Sequence, residues 1–497
     1  MKSINIKYAL LIIAIVIGLV ACNDKPQPQQ IQVNIESHTV CSYDEQSVAI
    51  GYVASGTQPQ ESVRLVATTS AEWIESIDCS DARQIVVNVK ANDGELRTAE
   101  IELSASGVTP FMISISQIAA PAELSEHALI FYFFGTSLGR FFDYNIEDAS
   151  IAIGGGVLGN NNRVLIYRQR VNNEAYISEL CYDPIHHSAI ERPIKDKISV
   201  AQSLTAEDIA ATLNEVTSYA PAKRYGLVLA GHGQGWVTCE AINKEDDVIP
   251  FGLNYGGIWT PHPDAEVTRA FGERNVQVDI STLAKGITSS ATEFDYLLFD
   301  ACFMSNIEAV YELRDAANYI IASPCEIMGR GFPYHRTLPY LFANGGTQSD
   351  IAGAAESYHI YYRDEYIGAA RCGSVAVYDC GEVERLAQFT ASLMYSASKE
   401  CDATALQSYE GHSEHIFYDF GQYCAAVATE SDLLDAFERQ LDATVIAKYT
   451  LPTFYSAYGY STFPIDVESY SGVTTSAPSS VYEEEWRETL WYQRIYQ

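Results

Sequence analysis

Two stretches decide how this chain is read. The first is Tyr225-Gly-Leu-Val-Leu-Ala230, followed by Gly231-His-Gly-Gln-Gly-Trp236. The second is Phe294-Asp-Tyr-Leu-Leu-Phe299, followed by Asp300-Ala-Cys-Phe-Met304. Each opens with a short, nearly continuous apolar run, the pattern of a strand buried on both faces. His127-Ala-Leu-Ile-Phe-Tyr-Phe-Phe134, Val164-Leu-Ile-Tyr167 and Tyr319-Ile-Ile-Ala-Ser323 repeat the pattern. Helical stretches lie between them. One is opened by Thr205-Ala-Glu-Asp208 as a near capping box and runs to about Thr217. Strands alternating with helices predict an α/β fold with a mainly parallel sheet flanked by helices. In such sheets, sites form beyond the carboxyl ends of the strands. Here two strand ends carry His232 and Cys302, 70 residues apart.

Alone, either residue has an ordinary structural reading: a histidine after a strand, a cysteine as a small buried apolar group. Together they form a candidate nucleophile and acid–base pair. Glycines on both sides of His232 permit a tight turn and close substrate approach. Ser305-Asn-Ile-Glu308 reads as a capping box that opens a helix through Leu313. Cys302 is then expected at a helix N-terminus, where the dipole and a neighbouring imidazolium favour thiolate.

The paired motifs His232-Gly-Gln-Gly-Trp236 and Asp300-Ala-Cys-Phe-Met304 resemble those of the clostripain family of cysteine peptidases, within the caspase-like clan. Ala322-Ser323 with Gly329-Arg-Gly-Phe-Pro-Tyr334, and Tyr418-Asp-Phe420 with Gly459-Tyr-Ser-Thr-Phe-Pro464 in the tail, extend the likeness over residues 125–495. The resemblance implies a caspase-like sheet and peptide-bond hydrolysis through a thioester acyl-enzyme. Cys302 would attack, and His232 would protonate the leaving amine. The amides of Gly233 and Cys302 are the candidates for an oxyanion hole. Asp300 matches the family's acid at the base of the S1 pocket, which implies cleavage after Arg or Lys. Its alternative reading is a structural strand-end cap. Glu326 is a candidate second acid in that pocket, although Ser323-Pro-Cys-Glu326 departs from the usual run. Ala230 and Gly231 also stand where relatives often carry a polar residue. Relatives are often self-cleaved after a basic residue between the histidine and the cysteine. Lys244, Arg269, Arg274 and Lys285 fall in that interval, with 241–277 read as loop-like. Two rival readings remain open: a binding protein that keeps the fold without turnover, and a peptidase with a non-basic P1 preference.

The N-terminus points to export. Lys2 and Lys7 precede an apolar run from Tyr8 to Val20, and Leu19-Val-Ala-Cys22 resembles a bacterial lipobox. Residues 1–21 read as a lipoprotein signal and Cys22 as the lipidated residue, with an ordinary signal peptide as the alternative. Residues 22–31 read as a tether. The expected location is the cell envelope, at the outer membrane or cell surface. From residue 32 to 118 the pattern is alternating short strands, a small β-sandwich. Trp73, Asn92, Arg97-Thr-Ala-Glu-Ile101 and Ile115-Ser-Gln117 resemble the BACON domain, common at the N-termini of secreted Bacteroidetes proteins. That resemblance implies carbohydrate contact; a plain spacer is the favoured reading. Residues 119–126 read as a linker and 127–497 as the peptidase domain with its C-terminal extension.

The formal net charge of −33 excludes nucleic acid as a natural partner, because phosphate binding calls for a basic surface. Apart from Cys22, ten cysteines remain, without CxxC spacing; pairing of Cys41 with Cys79 is one possibility. No cofactor is required by the chemistry. Calcium on Glu245-Asp-Asp247 is possible, as some relatives use it, with a solvated acidic loop as the alternative. His186-His187 and His412-x-x-His415 lack acid or cysteine partners at metal spacing in the sequence. The expected partners are protein or peptide substrates, and the membrane through lipid on Cys22.

Overall fold

The computed structural model describes residues 31–497 except 42–45, 56–62, 93, 95–96, 118–123, 160, 184–186, 202, 247–261, 263–264, 270–277, 344–345, 400, 413 and 459–463. The signal, the tether up to residue 30 with Cys22, His186, Asp247 and Arg274 lie outside the described residues, as do the side chains of Lys244, Glu245 and Asp246. The chain divides into two compact units, one drawn mostly from residues up to Ser116 and the other from Gln117 to Gln497.

The first unit is all β. One four-stranded sheet has the order β1 (Gln32–Ile35), β3 (Gln46–Ser55), β6 (Gln84–Val89), β5 (Ile74–Asp78). The other has β2 (His38–Cys41), β8 (Val108–Gln117), β7 (Arg97–Ala105), β4 (Val66–Thr68). Period-two alternation explains the arrangement. Ile85, Val87 and Val89 of β6 are buried, as are Ala99, Ile101 and Leu103 of β7, while their neighbours face outward. Cys41 and Cys79 are both free thiols, so the disulfide considered above is not made.

The second unit is built on a nine-stranded sheet. Its first strands are β9 (His127–Phe133), β10 (Asn162–Arg170), β11 (Glu174–Asp183) and β12 (Ser188–Ser199). They are followed by β13 (Tyr225–Ala230), β14 (Phe294–Asp300), β15 (Ala317–Ala322) and β16 (Val375–Asp379). After the two-residue β17 (Tyr418–Asp419), β18 (Val445–Tyr449) completes the sheet, whose order is β12-β11-β10-β9-β13-β14-β15-β16-β18. The five central strands, β10 to β15 in that order, run parallel. The antiparallel pairs β11–β12 and β16–β18 close the two edges. All seven residues of β9 are buried, as its unbroken apolar run requires.

Helices α1 (Gly139–Gly154), α2 (Ala206–Ser218), α3 (Cys239–Asp246), α4 (Ile280–Thr288) and α5 (Ile307–Leu313) occupy the connections. The capping box at Thr205 and Asp208 forms as the sequence predicts. The one proposed at Ser305 does not. Asn306 caps α5, accepting from the amide of Ala309. Ser305 instead bonds Tyr378 and donates to the carbonyl of Gly472, and Glu308 accepts from Thr475, the amide of Ser476 and Trp486. Tertiary partners more than seventy residues away along the chain claim both ends of the motif. Residues 239–246 are helical, which corrects the start of the loop-like reading of 241–277.

Candidate active site

The adjacent parallel strands β13 and β14 are in register with Ala230 opposite Asp300, so their carboxyl ends open side by side. The turn after β13 brings Gly233 against the backbone of Cys302. A Cβ on Gly233 would lie 2.1 Å from the Cys302 carbonyl oxygen. His232 is half-buried beyond this contact, with Nε2 2.8 Å from Ser137 Oγ. Cys302 is fully buried, and its Sγ accepts the amide of Ile327 at 3.0 Å. Neither Ser137 nor Ile327 was indicated by the sequence.

The expected helix-terminal thiolate is not what the structure holds. Helix α5 begins only at Ile307, and a turn with Phe303 at φ 59° intervenes. Burial pushes the Cys302 thiol well above its ordinary value, and the nearby carboxyl of Glu326 adds to the rise.

The segment Ala265 to Arg269 returns across these strand ends. Thr268 bridges Met328 in antiparallel fashion, the amide of Gly329 donates to the Val267 carbonyl at 2.7 Å, and the amide of Arg269 donates to Ile327 at 2.8 Å. The Arg269 carbonyl oxygen accepts from the amide of Gly233 at 2.9 Å and from that of Cys302 at 3.4 Å. These are the two amides that the sequence nominated for an oxyanion hole.

The Arg269 side chain is 0% exposed, and its guanidinium meets Asp300 Oδ2 at 2.9 Å. It also donates to Asn145 Oδ1 at 2.6 Å and to the carbonyls of Asp300 and Gly329. Asp300 is held in turn by the amide of Phe332 at 3.2 Å and by Tyr334 Oη at 2.8 Å. Thus the Gly329-Arg-Gly-Phe-Pro-Tyr334 turn forms a wall of the pocket. Gly331, at φ +69°, permits this approach: a Cβ there would meet Asp300 Oδ1 at 2.3 Å. Burial raises the Asp300 carboxyl above its ordinary value, opposed first by Arg269 and then by the Tyr334 and Phe332 bonds. A carboxylate so placed is costly without a cation beside it.

Glu326 is bonded to other groups than those that hold Asp300. Its Oε2 accepts from Thr268 Oγ at 2.6 Å, and its Oε1 accepts from Ser456 Oγ at 2.7 Å and the amide of Ala457 at 2.8 Å. Burial pushes it up to about 7. Of the four basic residues between the histidine and the cysteine, Arg269 is in the pocket, while Lys285 is exposed on α4. His415 bonds Glu410, an acid partner five residues away that its spacing to His412 did not suggest. No cluster of three or more metal-ligating side chains occurs among the described residues. Among the same residues, no helix is long and apolar enough to cross a membrane.

The sequence profile of the clostripain family (peptidase family C11) matches residues 141–449. The chain is similar to a secreted C11 cysteine protease from Bacteroides thetaiotaomicron, at 30% identity and TM-score 0.65, over 75% of this chain and 100% of that one. It is also similar to an inactive zymogen C11 protease from Parabacteroides distasonis, at 26% identity and TM-score 0.61, over 76% and 100%. A secreted C11 protease from B. thetaiotaomicron in complex with an irreversible peptide inhibitor shares the fold at 23% identity and TM-score 0.60, over 75% and 99%. No curated protein matches. With the strand-end histidine and cysteine, this likeness makes the chain a member of the clostripain family and a cysteine-type endopeptidase.

Proposed function

We propose that the chain is an endopeptidase that cleaves after Arg or Lys, and that its first substrate is its own Arg269–Ala270 bond. One observation carries this reading. A single residue puts its guanidinium on the buried Asp300 and its carbonyl oxygen between the amides of Gly233 and Cys302. That is the disposition of a P1 residue in a substrate complex. The relative described as an inactive zymogen fits a resting state of this kind.

In the proposed reaction, Cys302 Sγ attacks the Arg269 carbonyl carbon and its proton passes to His232. The carbonyl oxygen takes negative charge under the two amides. The bond to the Ala270 nitrogen breaks, and that nitrogen takes the proton from His232. Water, deprotonated by His232, then cleaves the thioester; thiol and a carboxylate on Arg269 are released. Asp300 binds the side chain and does not exchange protons.

The test is intact mass and N-terminal sequencing. Wild type is expected to yield a new N-terminus at Ala270, and Arg269→Lys to be cut there too. Arg269→Ala and Cys302→Ala are expected to stay whole. A fragment from Cys302→Ala would overturn self-cleavage. Processed enzyme that turns over only peptides with a non-basic P1 would overturn the Arg reading.

The N-terminal segment supports a lipid anchor on Cys22, with the β-sandwich as a spacer. Cys22→Ala is expected to move the protein from the membrane to the soluble fraction with peptide turnover unchanged. Unaltered fractionation would sink the anchor.

A further inference from the structure

Trp236 closes the turn that carries His232. Its side chain is buried, and its indole Nε1 donates to Ser476 Oγ at 2.6 Å. Ser476 lies 240 residues further along the chain, beyond the 141–449 span that the family profile matches. It ends the segment Thr474 to Ser476, whose first two residues pair with β17 in antiparallel fashion. The same segment grips the chain that follows the nucleophile. The amide of Thr474 donates to the Ser305 carbonyl at 3.0 Å. Glu308, fully buried on α5, accepts the Thr475 hydroxyl at 2.8 Å and the Ser476 amide at 2.9 Å on Oε1. Trp486 Nε1 donates to that oxygen at 2.9 Å. These donors offset the cost of burying the carboxyl. Ser476 is thus tied to the helix after Cys302 by its backbone and to the His232 turn by its side chain.

The contacts on either side show what the bond to Trp236 does. Gly235, at φ +66°, lies against Asn306 and Phe417, where a Cβ would come within 2.8 Å and 2.9 Å of their side chains. Gly233 lies just as close against the Cys302 backbone. Such contacts limit how near the His232 turn can come to the Cys302 turn; they do not pull it in. The Trp236–Ser476 hydrogen bond is attractive and is anchored on the Cys302 side, so it opposes retreat. A nucleophile and its acid–base partner depend on such a restraint, because a misplacement of about 1 Å costs roughly a hundredfold in rate.

We infer that Ser476 is a positioning residue for peptide hydrolysis: it ties the His232 turn, through Trp236, to the helix after Cys302, through Glu308, and so sets the reach between imidazole and thiol. This rests on the reading of His232 and Cys302 as the working pair. Ser476 acts through Trp236 and not on the substrate. Its loss should therefore fall on the chemical step, whereas the proposed P1 contacts on Asp300 and the 329–334 turn should keep substrate affinity.

The test measures kcat, KM and melting temperature for Ser476→Ala, Trp236→Phe and the double variant, on the peptide that wild type cleaves fastest. Each single change removes one end of the same hydrogen bond. Each is expected to lower kcat by about ten- to a hundredfold, with KM within about threefold of wild type. The double variant is expected to be no slower than the slower single one, because both changes remove one bond. If Ser476→Ala does not fold, Trp236→Phe reads the bond from its other end. Failure of both to fold would assign the bond to stability alone and overturn the inference. Single variants with kcat within about twofold of wild type also overturn it, whatever their melting temperatures, as do losses that multiply in the double variant. His232→Ala is the control. Full turnover without the imidazole sinks the working pair and this inference with it. An inactive His232→Ala beside a fully active Ser476→Ala removes the positioning role alone.

Discussion

Asp300→Asn is expected to lower kcat/KM on Arg peptides by roughly a hundred- to a few-thousandfold. That range follows from removing one partner of a buried ion pair, which costs about 3–5 kcal/mol. Asparagine keeps the shape, can still accept the amide of Phe332, and can bond Tyr334, so the pocket wall survives. What it loses is the charge that meets the guanidinium at 2.9 Å. The loss should therefore fall on P1 selection: the preference for Arg over Gln or Leu should collapse, and self-cleavage after Arg269 should slow in step. A P1 panel with kcat/KM for each peptide checks this. An Asn variant as selective as wild type would return Asp300 to the role of a strand-end cap.

The same pair bears on the resting state. An empty pocket would leave the Asp300 carboxylate buried with only two neutral donors, the Phe332 amide and the Tyr334 hydroxyl. Arg269 supplies that cation, so the ion pair stabilises the chain as it stands. On the proposed self-cleavage, release of Arg269 would leave the carboxylate in want of a cation, beside a wall already shaped by Gly331, Phe332 and Tyr334.

The sequence made the frame of this site legible because the frame is local. Unbroken apolar runs mark β9, β13 and β14, and chain order alone puts His232 and Cys302 at strand ends. What it could not give was decided at long range. Four basic residues lay between the histidine and the cysteine; only the fold sets Arg269 between Asp300 and Asn145, which is 124 residues upstream. Glu326 was read as a companion to Asp300 because it is an acid in the following loop, whereas Ser456 and Ala457, 130 residues on, hold it beside Thr268. Ser305 and Glu308 satisfied a helix-start pattern, yet their side chains were claimed by Tyr378 and Trp486. A pattern of residue types states which bonds are available locally. It does not state which distant groups compete for them.

Gly233→Ala is expected to cost roughly a hundred- to a thousandfold in kcat while KM for Arg peptides changes little. The added Cβ would lie 2.1 Å from the carbonyl oxygen of Cys302 and 2.8 Å from its amide nitrogen. These are backbone atoms just past the end of a strand and cannot swing aside, so the turn after β13 must retreat. That retreat carries the Gly233 amide away from the oxygen it now holds at 2.9 Å. Losing one preorganised donor to a developing oxyanion is worth about 3–4 kcal/mol. The three atoms nearest this Cβ all belong to the Cys302 backbone, whereas the proposed P1 pocket is formed by Asp300, Asn145 and the 329–334 turn, so the preference for Arg should persist at the lower rate. The split between kcat and selectivity separates the two assignments. Asp300→Asn should flatten the P1 profile, whereas Gly233→Ala should scale it down uniformly. A Gly233→Ala enzyme with undiminished turnover would mean that the amide of Gly233 binds the ground-state carbonyl and does nothing for the transition state.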